Sequence, residues 1–211
     1  MIGIFGGTFD PVHWGHLRLA VTVQRVLSLS AVHWVPLNQA VHKAQPSADA
    51  TQRLAMLHAA IQSYPTFCVE PCEVTRGGAS YMVDTLAALQ TQIPGESLCL
   101  LMGADAFASF TDWKQSQRIL QLAHLVVAQR PGYSLQFPPE LAAHACTAAA
   151  DLHQQPAGLI YQQAIEPCGF ASTLIRQALV AQHDVSAMLP PQVLSFIKQQ
   201  GLYQSEAVTP C

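Results

Sequence analysis

The chain has 211 residues, half of them apolar and only 11% charged, with 10 Lys+Arg against 13 Asp+Glu and a net charge of −3. That composition supports a packed core rather than intrinsic disorder, and with no basic surplus it argues against general nucleic-acid binding. No apolar run reaches the roughly 18 residues that cross a bilayer, so no membrane partner is expected.

The first residues read as a strand over 2–5 rather than a targeting leader, which makes a cytoplasmic protein the expectation. Apolar residues at helical spacing follow over 17–29, then a strand over 32–37. A helix over 52–62 carries Leu54, Leu57 and Ile61 on one side. A short strand at 67–69, a helix at 81–89, a strand at 98–102, a helix at 117–122 and a strand at 125–128 continue the alternation. Strands alternating with helices predict right-handed crossovers and a parallel sheet covered on both faces, a doubly wound, Rossmann-like α/β fold. Residues 131–169 are irregular, with one weak strand at 159–165. Two helices close the chain as a C-terminal helical segment. Ser172 is placed to cap the one over 172–181, and the Pro190-Pro191 pair suits the first turn of the one over 191–200. The expected organisation is one domain over 1–204 and a tail over 205–211. The six cysteines, scattered through apolar surroundings without a CxxC or Cys/His pattern, are expected to be reduced and mostly buried.

Chemistry concentrates after the first strand, in Gly6-Gly7-Thr8-Phe9-Asp10-Pro11-Val12-His13-Trp14-Gly15-His16. A strand, a glycine turn and a helix start form an anion site, with free N–H groups and the positive end of the helix dipole toward the ligand. His13 and His16, three apart, project their rings to the same side. No HExxH and no nearby third ligand supports zinc, so no metal site is expected in the protein, and both the GxxxxGK[ST] and GxGxxG patterns are absent. A phosphate cradle carrying two imidazoles remains.

This segment resembles the signature of the nucleotidylyltransferase superfamily, with its (T/H)xGH element, and the chain from Ile4 to about Tyr203 is similar to bacterial nicotinate-nucleotide adenylyltransferases. The resemblance implies transfer of an adenylyl group from ATP to nicotinate mononucleotide, giving deamido-NAD and pyrophosphate in NAD biosynthesis. It assigns Gly6, Gly7, Thr8, Phe9, His13, His16, Gly103, Asp105, Ser172, Thr173 and Arg176 to ATP. Ser172-Thr173-Leu174-Ile175-Arg176 is similar to the family's ISSTxIR stretch, with Phe170-Ala171 departing from it. Asn38-Gln39-Ala40-Val41-His42-Lys43 corresponds to a PPHK stretch whose prolines are replaced. Asn38, Tyr81, Met82, Thr85, Trp113 and Arg130 are assigned to the mononucleotide, with Trp113 on the ring and N–H groups between Met82 and Thr85 on its carboxylate. His16, His13, Lys43 and Arg176 carry the catalytic roles, and Mg²⁺ accompanies ATP. A sibling enzyme acting on nicotinamide mononucleotide or phosphopantetheine, or a nucleotide sensor without turnover, stays open, as does a homo-oligomer.

Overall fold

The computed structural model describes residues 1–40, 45–129, 132, 136–166 and 169–204. His42, Lys43, Arg130, Cys168, Cys211 and the expected tail lie outside them.

Seven parallel strands form one sheet in the order β3-β2-β1-β4-β5-β7-β6: β1 Ile2–Gly7, β2 Ala31–Pro36, β3 Phe67–Val69, β4 Leu98–Gly103, β5 His124–Gln129, β6 Ala145–Cys146 and β7 Ile160–Ala164. The central strands read as nearly unbroken apolar runs because both faces are covered. Alternate side chains then serve opposite layers. Phe5, Val32, Trp34, Leu101 and Val126 pack with Leu17, Val23 and Leu27 of α1 (Trp14–Leu27), Met56 and Leu57 of α2 (Ala50–Ile61), Ile175 of α7 (Ser172–Val180) and Ile197 of α8 (Pro191–Gln200). Ile4, Val35, Leu100, Leu125 and Val127 face the other way, onto Val83, Leu86 and Leu89 of α4 (Met82–Gln92) and Ile119 and Leu120 of α6 (Ser116–Leu122). The doubly wound, Rossmann-like reading therefore holds.

Two short helices, α3 (Cys72–Arg76) and α5 (Ala104–Ala108), were not anticipated, since five residues are too few to show a helical period. Helix α1 starts three residues earlier than its apolar spacing suggests, immediately after His13. Pro190 and Pro191 do open α8. Ser172 does not cap α7; Ala171 holds that position, and the Ser172 hydroxyl instead donates to the Pro11 carbonyl at 3.0 Å. A tertiary partner has outcompeted the local one. Of the four described cysteines, all free thiols, only Cys99 is buried; Cys68 is exposed and Cys72 and Cys146 are intermediate, because Cys68 and Cys146 sit on the two edge strands and Cys72 opens the short helix α3.

The chain reverses winding direction between β1 and β4, and the carboxyl ends of these neighbours open a crevice where ligands bind in this fold class. No described helix is long and apolar enough to cross a membrane.

Candidate active site

At the end of β1 the paired glycines make room for the protein's own side chains. A Cβ on Gly6 would run into Met82 Cε, and one on Gly7 would lie 2.8 Å from the Phe9 ring. Neither glycine needs a left-handed backbone; Phe9 is the turn residue with positive φ, at 51°. The Phe9 ring, 2% exposed, stands edge-on to Phe5 at 5.4 Å and to His16 at 5.2 Å. It acts as a wedge behind the second histidine, and its side chain is not free to hold a nucleotide.

The two histidines cap α1 reciprocally. His13 is the N-cap residue, and its Nδ1 accepts the Gly15 N–H at 3.1 Å; His16 Nδ1 accepts the His13 N–H at 3.3 Å. Imidazole here replaces both the hydroxyl and the carboxylate of the usual capping box. The rings lie 3.8 Å apart, tilted by 31°. Because each Nδ1 accepts, each ring carries its proton on Nε2. Burial pulls His13 down to about 4 and His16 well below 6.5, with the His13 charge adding to the effect on His16. At neutral pH the pair is two uncharged Nε2–H donors.

The N–H groups of the first turn, expected to be free for a ligand, are occupied. Trp14 N–H donates to the Met188 carbonyl at 3.1 Å, Gly15 N–H to His13, and His16 N–H to the His13 carbonyl at 3.0 Å. A buried helix end must satisfy its donors, and here protein groups do so. The cradle offers imidazole N–H instead of backbone N–H.

A buried carboxylate holds the turn from behind. Asp10, 2% exposed, accepts from Ser47 N–H (2.8 Å), Ala48 N–H (3.1 Å) and the Tyr203 hydroxyl (2.7 Å), and Arg176 Nη1 lies 3.7 Å from its Oδ2. Arg176 Nη1 also donates to the Asp10 carbonyl at 2.6 Å, and Nη2 reaches Thr173 Oγ1 at 3.4 Å. Burial and the bond to Asp10 push the Tyr203 phenol far above its usual range. Arg53, 1% exposed, bonds the carbonyls of Thr8, Leu37 and Ala48 at 2.7–3.2 Å. Burial pulls Arg53 below its usual value while Asp10 counteracts it. Asp10, Arg53 and Tyr203 were not singled out from sequence. Only a buried-charge pattern, which is a tertiary property, identifies them. They join residues 8–10, 37, 47–48, 176 and 203 into one frame.

On the other side of the β1 turn lies a cavity of about 520 Å³. Gly6, Gly7 and Thr8 form its floor; Leu37, Gln39, Glu73, Ser80, Tyr81 and Met82 line one wall, and Asp105, Ser109, Asp112, Trp113 and Lys114 the other. Trp113, half-buried, packs against Phe110 at 5.8 Å and leaves the rest of its ring to the cavity. Gly103 ends β4, and a Cβ there would meet nothing within 4 Å. Asp105 stands one residue into α5 and is exposed to the cavity; it is not the cap of that helix, which is Gly103.

Two expected contacts fall elsewhere. Thr85 is fully buried; its hydroxyl donates to Glu73 Oε1 at 2.6 Å and accepts from Arg76 at 3.2 Å, so it does not reach the cavity. Asn38 turns its amide to the Gly78 carbonyl at 2.9 Å and takes the Ser80 hydroxyl on its N–H at 2.8 Å, tying residues 78–80 to the end of β2. In α4, the Asp84 and Thr85 N–H groups donate to the Tyr81 carbonyl at 3.1 and 3.3 Å. Met82 and Val83 then hold the N–H groups without a protein partner among the described residues.

A doubly wound sheet with an imidazole pair and an arginine at one side of its crevice and an aromatic cavity at the other defines a nucleotide-handling class. The sequence model described as cytidylyltransferase-like matches residues 4–178. A relative from Aeromonas salmonicida, named probable nicotinate-nucleotide adenylyltransferase, is 40% identical over 209 residues, covering 97% of this chain and 98% of its own. One of the same name from Methylococcus capsulatus is 40% identical over 208 residues, covering 96% and 99%. The chain belongs to the cytidylyltransferase-like family and, within it, to the nicotinate-nucleotide adenylyltransferases. Its fold is shared with the Plasmodium falciparum nicotinic acid mononucleotide adenylyltransferase complexed with NaAD, at a TM-score of 0.74 and 14% identity over 96% of both chains.

Proposed function

We propose that the protein transfers the adenylyl group of ATP to nicotinate mononucleotide, forming deamido-NAD and releasing pyrophosphate. The observation that carries the chemistry is the reciprocal cap of His13 and His16, which leaves one neutral Nε2–H donor on each ring at the start of the helix that follows β1. The nucleophile is the phosphate of the mononucleotide, already anionic at neutral pH, so no general base is required. It attacks the α-phosphorus in line, the P–O bond to the β-phosphate breaks, and pyrophosphate departs with the electron pair. The protein then contributes positioning and electrostatic stabilisation.

In this reading the Nε2–H groups of His13 and His16 donate to α-phosphate oxygens as charge redistributes. Arg176 and the N–H groups at the start of α7, without a protein partner among the described residues, meet the departing pyrophosphate. The donor is the magnesium complex of ATP. Trp113 stacks on the pyridine ring in the cavity, and the Met82 and Val83 N–H groups receive its carboxylate. ATP as donor and four free thiols support a cytoplasmic location.

Pyrophosphate release from ATP with nicotinate mononucleotide, nicotinamide mononucleotide and phosphopantetheine as acceptors tests the assignment. An amide presents NH₂ to donors that then lose their partners, at roughly 1–3 kcal/mol each. The acid is therefore expected to exceed the amide in kcat/KM by at least about 100-fold. Comparable values reject nicotinate as the acceptor, and release with none of the three makes the protein a sensor.

A further inference from the structure

The charge around the cavity has the wrong sign for the acceptor. Glu73, Asp105 and Asp112 line it with carboxylates, and Lys114 is the only cation among the described lining residues. A mononucleotide brings a phosphate and, in the acid form, a ring carboxylate into this field. Lys114 follows Trp113 directly in sequence, and its Nζ lies 4.2 Å from the centroid of the Tyr81 ring and 3.1 Å from Asp84 Oδ2. Tyr81 is the N-cap residue of α4, so the ammonium stands at the end of the helix that presents the Met82 and Val83 N–H groups. Two separate elements thus bring a cation and backbone donors together beside the same aromatic wall.

We propose that Lys114 is a specificity-determining residue that favours a carboxylate over an amide on the pyridine ring of the acceptor. This rests on the acceptor being a pyridine mononucleotide. An ammonium has three donors; one goes to Asp84, one faces the Tyr81 ring, and the third is left for the ligand. The ion pair with Asp84 is 41% and 46% exposed on its two side chains, and an exposed pair of this kind is weakly held. The lysine can therefore shift toward an incoming carboxylate without breaking a buried contact. Asp84 is the counterweight: it orients the lysine and offsets its charge. Removing either partner should move selectivity in opposite directions.

The experiment measures kcat/KM for nicotinate and nicotinamide mononucleotides, together with calorimetric affinity for each in the absence of ATP. Lys114→Met is expected to lower the acid-over-amide ratio about tenfold, the size of one charge-assisted hydrogen bond, through the acid alone and chiefly in KM. Lys114→Arg should restore most of the ratio, since the charge returns. Asp84→Asn should raise the ratio, which a merely structural role for the pair would not do. A wild-type protein without acid preference overturns the substrate assignment and this proposal with it. A wild-type preference that survives unchanged in both Lys114→Met and Asp84→Asn overturns the Lys114 proposal alone, as does an equal loss for both mononucleotides in Lys114→Met.

Discussion

The two sides of the β1 turn differ in how firmly their polar groups are held. On the histidine side, each imidazole Nδ1 is bonded to a backbone N–H, Asp10 takes three hydrogen bonds, and Arg176 is anchored on the Asp10 carbonyl. On the cavity side, Trp113 and Lys114 are partly exposed, and the Met82 and Val83 N–H groups have no protein partner among the described residues. The first side is fixed before any ligand arrives. That suits stabilisation of a transition state, where donors must not reorganise as charge develops. The second suits choosing among acceptors, since selectivity grows from donors that only the correct partner can satisfy.

The largest expected effect breaks this division at its rigid end. His16→Ala removes an Nε2–H donor backed by Phe9 and Phe5. Turnover should fall about 10²–10³-fold, the usual cost of one preorganised donor, while calorimetric ATP affinity changes far less. Near-wild-type turnover in the folded variant would show that the cradle does not contact the reacting phosphorus.

Acid stability probes the same side. An unfolded His13 takes a proton near 6.5, whereas burial holds the folded residue at about 4. The unfolded state therefore binds protons first, and stability present above pH 6.5 is lost as pH falls toward about 4. The shift corresponds to about 3 kcal/mol over that window. His13→Asn keeps a good N-cap that does not titrate there. Its melting temperature should fall less steeply between pH 6.5 and 4 than that of the parent. An unchanged slope would separate His13 from the acid transition.

The smallest effect belongs to the open side. Trp113→Ala removes a stacking surface that does not distinguish acid from amide. Both mononucleotides should bind roughly fivefold more weakly, the scale of an aromatic contact of about 1 kcal/mol, with their ratio preserved. Loss confined to the acid would mean that the indole itself carries selectivity and that the two sides are less distinct than the geometry implies.

Much of this architecture is visible in the chain itself. Alternating apolar runs and helical spacing define the doubly wound sheet because burial on both faces leaves a one-dimensional signature. The spacing of His13 and His16 places two imidazoles at a helix start because capping is a local event. Those imidazoles bond backbone N–H groups two and three residues away, so the same local cap leaves the proton on each Nε2. The tertiary structure decided that Gly6 and Gly7 admit Met82 and Phe9 and that Ser172 bonds Pro11 rather than its own helix. Asp10 meets Tyr203 across 193 residues, and Lys114 meets Asp84 across 30. Such pairings leave no periodic trace, because they depend on which loops the sheet brings together at the carboxyl ends of its strands.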